Sequence, residues 1–406
     1  MAVPRCCTTR ISIMLACSAS QTAAAQSPPV SPQPRVANVE WPEQGPVSAS
    51  ATDRPPLAGL DSTKLPVLIP TAMLSDRSLR FVGDETSYTA YTREGSADTP
   101  TITVAIRGTR IAFDRPDAQA PATDPPGDVS TEIGAQNASA GYVRFGVAYR
   151  IDVECRNSAD RRCNRADYAR DLLNSLELVG GGRGAPVAVT TMPEAPPPGM
   201  ISASSLPPGF HRPAGELVAH SGAGVAATTV FVPNMRFPVE ASPAYLNSQV
   251  YGVGGLKGPR GSAGDPRNYQ YPWRDNFCEA RSRTTPLCPG GKGHQGQDVR
   301  PAGPGAAKYW AVAAERGRIA RIGTYSVVLI GASGTEYRYL HLAMHRLAVR
   351  AGDVVQLGQK IGLISNDFGA TKTTVHLHFE MLQNVDGRGL RHVPPYTSLV
   401  SAYEKL

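Results

Sequence analysis

The chain has 406 residues, 41% of them hydrophobic, with 40 Gly, 36 Pro and a formal charge of +7. That length exceeds one small core, and the Gly and Pro content argues for linkers and many turns and against a helical bundle. No run of about 18 apolar residues exists, which excludes a transmembrane helix, and the basic residues are scattered, so a nucleic-acid-binding reading rests on net charge alone while an anionic cell envelope suits the same charge.

Residues 1–25 read as a signal peptide for export. Arg5 and Arg10 give a basic start, Ile11 to Cys17 a short apolar run, and Ala23-Ala24-Ala25 a small-residue cleavage site. The run ahead of Cys17 is short for a lipid-anchor signal. A periplasmic, envelope or secreted location follows. Cleavage leaves four of the seven cysteines, as two local pairs, Cys155/Cys163 and Cys278/Cys288. Neither spacing is a zinc or redox motif, and two short disulfides are the simple reading.

Residues 26–58 hold eight prolines and read as an extended spacer. A small α+β domain is expected over 59–182. Ile102, Val104 and Ile106 alternate with polar or small residues, and Val143, Phe145, Val147, Tyr149, Ile151 and Val153 alternate as one half-buried strand. Ala169, Leu172, Leu173 and Leu176 mark a helix that Gly180-Gly181-Gly182 would stop, and 114–130 read as a long loop. This domain carries no catalytic constellation and is expected to contact a partner or the C-terminal region of the chain itself, the latter an inhibitory option. Residues 183–228 form a second Pro/Gly-rich linker.

From 229 to 393 short strands broken by glycines predict a mainly β domain with an antiparallel sheet: Trp310–Ala313, Gly317–Ile322, Ser326–Ile330, Glu336–Leu342, Lys360–Ile364 and Val375–Leu382. Residues 394–406 form a tail in which Tyr396–Leu406 can close as a helix.

His294, His341, His345, His376 and His378 cluster in this region. In His376-Leu377-His378 positions i and i+2 of a strand share a face, so both imidazoles point one way while Leu377 and Phe379 can be buried. His294 and Asp298 lie four residues apart in a Gly-rich turn entering a strand, where both can meet at one point. His294, Asp298 and one imidazole of the pair give three protein ligands, and three ligands plus water is a catalytic zinc arrangement. The remaining imidazole, or His341 in Tyr339-Leu340-His341-Leu342, can take the water's proton or hold the oxyanion.

The order His-x-x-x-Asp at His294/Asp298, Tyr-x-His-Leu at Tyr339–Leu342 and His-x-His-Phe-Glu at His376–Glu380, with the Gly-rich segment Val349–Gly362 between the last two, resembles the lysostaphin/LytM-type (β-lytic) zinc metallopeptidases. The resemblance spans about 160 residues and is silent on residues 1–228. It implies Zn2+ held by His294, Asp298 and His378, with His341 and His376 activating water and stabilising the tetrahedral intermediate; the choice of base between them stays open. It implies a zinc metalloendopeptidase cutting peptide cross-links of bacterial peptidoglycan. The alternative is a catalytically gated or silent wall-binding relative that regulates other hydrolases. Tyr339 lines the site or packs, and His345 lies at the surface or rim. Lys372-Thr373-Thr374-Val375 departs from the family's usual Ser-Thr-Gly-Pro, which leaves the shape of one groove wall open. Residues 253–292, with Trp273 and the Cys278/Cys288 pair, look like an elaborated rim over the cleft.

Overall fold

The computed structural model describes residues 31–46, 57–96, 99–114, 129–183, 229–240, 244–246, 275–301 and 305–405. The expected leader with Cys6, Cys7 and Cys17, nearly all of the 114–130 loop and of the 183–228 linker, and Trp273 lie outside them.

The run from Val143 to Val153 is two strands. Phe145 (φ 57°) and Gly146 (φ 74°) form a two-residue turn joining Asn137–Arg144 to Val147–Cys155, with Arg144 paired to Val147. Positive φ at both central residues is the turn geometry that matches strand twist. An alternation that continues unbroken across so short a turn reads as one strand. These two belong to a six-stranded antiparallel sheet ordered Arg80–Gly83, Ser87–Gly95, Pro100–Thr109, Val147–Cys155, Asn137–Arg144, Ser130–Ile133.

One face of this sheet packs Ile102, Val104, Ile106, Tyr149, Ile151 and Val153 against the helix Asp167–Asn174, which buries Ala169, Leu172 and Leu173. That helix stops at Asn174, before the Gly triplet. Leu176 opens a strand, Leu176–Gly180, paired with Val67–Pro70, so its apolar side chain serves a sheet. The disulfide Cys155–Cys163 ties the sheet to the helical segment. Within the Pro-rich stretch expected to be a spacer, Gln33–Val36 is a strand paired antiparallel with Ile111–Asp114, and an edge pairing of this kind tolerates its Pro34.

A second apolar cluster, from Phe231 to Tyr403, forms the core of the C-terminal region. Its eight-stranded antiparallel sheet runs Ala244–Leu246, Gln297–Pro301, Leu377–Asn384, Glu336–Leu340, Ser326–Gly331, Gly317–Ile322, Val354–Val355, with Leu390–Val393 also paired to Leu377–Asn384. Trp310–Val312, Lys360–Ile364 and Leu342–Leu347 make a smaller sheet. Tyr396–Glu404 is the closing helix, its Tyr403 ring edge-on to Phe237.

Strand alternation divides the large sheet. Tyr337, Tyr339, Leu377, Phe379 and Met381 enter the core, while Glu336, Arg338, His378 and Glu380 take the opposite face. Antiparallel sheets often leave such a face to water. Here the polar face of the first sheet covers it. Arg107 Nη1 donates to Glu336 Oε2 (2.6 Å), Arg338 Nη2 to Asp152 Oδ2 (2.7 Å), and Glu154 accepts from Tyr325 N and Ser326 Oγ (both 2.6 Å). The Val147–Cys155 strand is therefore buried along its whole length, where the alternation alone suggested one solvated face.

Candidate metal centre

Strand register builds the site. Asp298, on Gln297–Pro301, lies directly opposite His378, and His378 lies opposite Leu340 on the next strand. His341 follows Leu340 at φ 65°, a left-handed conformation rare for a side chain with a Cβ, and it separates two strands the sequence joins into one. His376 immediately precedes the strand that begins at Leu377. All five sequence-derived residues are buried and meet around one point.

Asp298 Oδ1 lies 3.5 Å from His294 Nε2, 3.0 Å from His378 Nδ1 and 3.4 Å from His376 Nε2. The donor atoms of His294, Asp298 and His378 all fall within 4.8 Å of one another. A tetrahedral ion with bonds of about 2.0 Å needs its donors roughly 3.3 Å apart, so this donor set fits zinc.

Each ring is held by its other nitrogen. His294 Nδ1 donates to Asn276 O (3.1 Å), and Asn276 Nδ2 donates to Asp298 Oδ2 (2.8 Å), which leaves Oδ1 for the metal. Asn276 Oδ1 also accepts from Asp298 N. His378 Nε2 faces Glu380 Oε1 at 3.0 Å, which leaves Nδ1 as the atom available to a metal. His341 Nδ1 donates to Asp367 O (3.0 Å) and His376 Nδ1 to Thr374 O (2.8 Å), so the Nε2 of each is an available acceptor. The two rings are 4.7 Å apart, centroid to centroid.

Burial, and then the neighbouring imidazoles His376 and His378, push His341 well below the ordinary histidine range. His294 is lowered chiefly by burial. Burial acts to raise Asp298, but the imidazoles of His294 and His376 outweigh it and hold the carboxyl well below its usual range. A neutral ring and an ionised carboxylate are the states a metal requires.

Arg281, Arg283, Leu340, Phe368 and Thr373 complete the cavity wall. The two arginines come from the 278–288 loop, which the Cys278–Cys288 disulfide closes. Arg281 is paired with Glu279 (3.0 Å). Arg283 has no side-chain partner among the described residues. Tyr339 is in the core, its hydroxyl accepting from Ala314 N (2.8 Å) away from the cavity, and His345 is exposed. Asn276, Arg283 and the role of Glu380 are additions to the sequence reading. Glu380 carried a signal, since it sits at i+2 from His378 on one strand face. Asn276 carried none, being 18 residues from His294 and outside any motif.

Residues 292–389 match the model of Peptidase family M23. The C-terminal region resembles the M23 peptidases. No curated protein matches the chain. Among solved structures it is similar to a candidate glycyl-glycine endopeptidase, lytM, from Ruminococcus gnavus ATCC 29149 (22% identity, 27% of this chain and 47% of that one, TM-score 0.22). It is similar to the catalytic domain of lysostaphin from Staphylococcus simulans (25% identity, 28% and 85%, TM-score 0.21) and to a zinc-containing peptidase from Vibrio cholerae (24% identity, 25% and 30%, TM-score 0.19). The chain thus spans less than half of the Ruminococcus protein. In this M23-like segment Thr374 stands where the family's usual pattern differs, yet its carbonyl anchors His376, so the departure leaves that ring in place.

Proposed function

We propose that the chain is an exported zinc-dependent endopeptidase that hydrolyses peptide cross-links of bacterial peptidoglycan. The observation that carries this reading is the convergence of His294, Asp298 and His378 at zinc spacing, with the Nε2 atoms of His341 and His376 left as free acceptors beside them. When bound, zinc supplies Lewis-acid polarisation of the scissile carbonyl and acidifies a water. His341 and His376 are placed to accept that water's proton and afterwards to donate a hydrogen bond to the oxyanion or a proton to the leaving amine. Arg283, cationic and without a side-chain partner among the described residues, suits a carboxylate on the substrate, and peptidoglycan peptides carry several. The two disulfides suit an oxidising compartment.

A latent form of the same enzyme is the second reading. It is favoured by the cavity itself, whose volume of about 60 Å³ admits a few waters and no peptide. Movement of the 275–294 segment or of Phe368 would have to admit substrate.

The test is digestion of peptidoglycan sacculi by the mature protein, with and without chelator, beside His341→Ala, with released fragments identified by mass spectrometry. Chelator-sensitive loss of cross-linked species, absent from the variant, is expected. A zinc-loaded wild type that releases nothing would point to the latent form.

A further inference from the structure

His378 holds Glu380 through Nε2 (3.0 Å to Oε1), and the contacts continue past it. Glu380 Oε2 lies 3.2 Å from His392 Nε2, and His392 Nδ1 lies 3.0 Å from Glu132 Oε2. Glu132 belongs to the first domain, where Arg150 Nη2 donates to the same Oε2 at 2.9 Å and Arg150 Nη1 donates back across the boundary to Leu390 O at 3.1 Å. Glu132, Glu380 and His392 are nearly inaccessible, with His392 at 0% exposure.

Hydrogen-bond roles give this line a direction. Ionised carboxylates only accept. His392 faces a carboxylate on each side, so both its nitrogens donate. Glu380 Oε2 is then filled by His392, and Oε1 is left to accept from His378 Nε2–H. A ring protonated at Nε2 presents the Nδ1 lone pair, and Nδ1 is the atom beside Asp298. Taking away the Glu132 charge, and putting an amide NH2 in place of one acceptor oxygen, leaves His392 free to give up a proton or turn, and Glu380 loses the donor that fixes its orientation.

Resting on the zinc reading above, we propose that Glu132 of the first domain is a positioning residue of the metal centre, acting through His392 and Glu380 to fix His378 with Nδ1 toward the metal. The first domain is then part of the peptidase centre's supporting shell. The same interface contains a natural control. Glu154 is a buried carboxylate of the first domain that accepts from Tyr325 N, Ser326 Oγ and Arg321 Nη1 of the second, and no continuous line of hydrogen bonds joins it to His378, only the longer ion pairs of Arg321 with Asp152 (3.7 Å) and Arg338 with Glu380 (3.9 Å).

The test measures the zinc dissociation constant of the full chain by competition with a chromophoric chelator, for wild type, Glu132→Gln and Glu154→Gln, with melting temperatures of the metal-free proteins alongside. Both variants should melt lower. Glu132→Gln should weaken zinc about 10- to 100-fold, the range for outer-shell partners of ligating histidines, while Glu154→Gln should stay within about threefold of wild type, as a carboxylate outside that shell. Should Glu132→Gln not fold, His392→Gln breaks the same line and should show the same loss. Equal zinc loss in both variants, or none in Glu132→Gln or His392→Gln, would overturn the proposal. Failure of the wild type to bind zinc at all would instead overturn the zinc reading, and this inference with it.

Discussion

At the scale of single residues the metal centre depends on which atom of each side chain is left free. Asn276 settles this for two candidate ligands at once: its main-chain carbonyl accepts from His294 Nδ1–H, and its amide occupies the second oxygen of Asp298. Asn276→Ala keeps the carbonyl and removes the amide. Asp298 can then rotate, and zinc affinity should fall about 10-fold or more, with the fold intact; chelator competition checks the first and circular dichroism the second. Unchanged affinity would mean that the backbone alone orients the carboxylate. The convergence of the candidate ligands was legible in the sequence because period two places His376 and His378 on one face and because a four-residue spacing in a turn brings His294 to Asp298. Asn276 was not legible, since its distance from the site is closed only by the folded 275–294 segment. His392 was passed over for a related reason. It lies outside every motif, and its importance comes from Glu132, which is 260 positions away.

At the scale of elements, most strands were readable from glycine punctuation; Leu176 and Gln33–Val36 were missed because their strand partners are distant in sequence, and two further errors occurred where positive backbone angles interrupt an unbroken pattern. His341 at φ 65° divides Glu336–Leu342, and the Phe145-Gly146 turn divides Val143–Val153. Side-chain periodicity carries no trace of either. The segment that covers the cavity contains a further unreadable feature. Asp275 is buried and accepts from the Phe277 N–H (2.9 Å), and burial, against that hydrogen bond, raises its pKa to about 7. An unfolded aspartate titrates near 4. Between those values the folded chain keeps a proton that the unfolded chain has released, so the group's contribution is fully present below about pH 4 and is lost as pH rises through about 7. Asp275→Asn retains the acceptor for Phe277 and removes the titration. Its melting temperature should match wild type at pH 4 and exceed it at pH 8, by a stability difference of at most a few kcal/mol. Thermal melts at the two pH values check this, and equal melting temperatures at pH 8 would show that Asp275 is ionised without penalty.

At the scale of the whole molecule, the chain solves one problem twice. Each large sheet has an apolar face with its own core and a polar face, and the two polar faces are buried against each other by Arg107, Arg150, Arg321 and Arg338 interleaved with Glu132, Asp152, Glu154, Glu336 and Glu380. The alternation announced a polar face and could not say that protein, not water, would cover it. Charges buried this way give little net stability when complete and a large penalty when one partner is removed. Arg338 is the centre of the layer, reaching Asp152, Glu336 and Glu380. Arg338→Met should therefore destabilise the protein by about 3–5 kcal/mol, and because the lost partners belong to both domains, calorimetry should show the two domains still unfolding together at a lower temperature. Acid should act on the same layer. Burial works to raise Glu132, yet Arg150 and His392 hold it down at about 2, and Arg338, ahead of Arg107, likewise holds Glu336 below its usual range against burial. Carboxyls depressed on folding contribute stability above about pH 4.5, and that contribution is lost as pH falls toward 2. The wild type should thus lose stability steeply below pH 4.5, and Arg338→Met, in which Glu336 no longer has its main counter-charge, should lose less over the same interval. Two separate transitions in the wild type at neutral pH, or an acid profile identical in the two proteins, would show that the domains are stable on their own and that the ionic layer is only a contact between them.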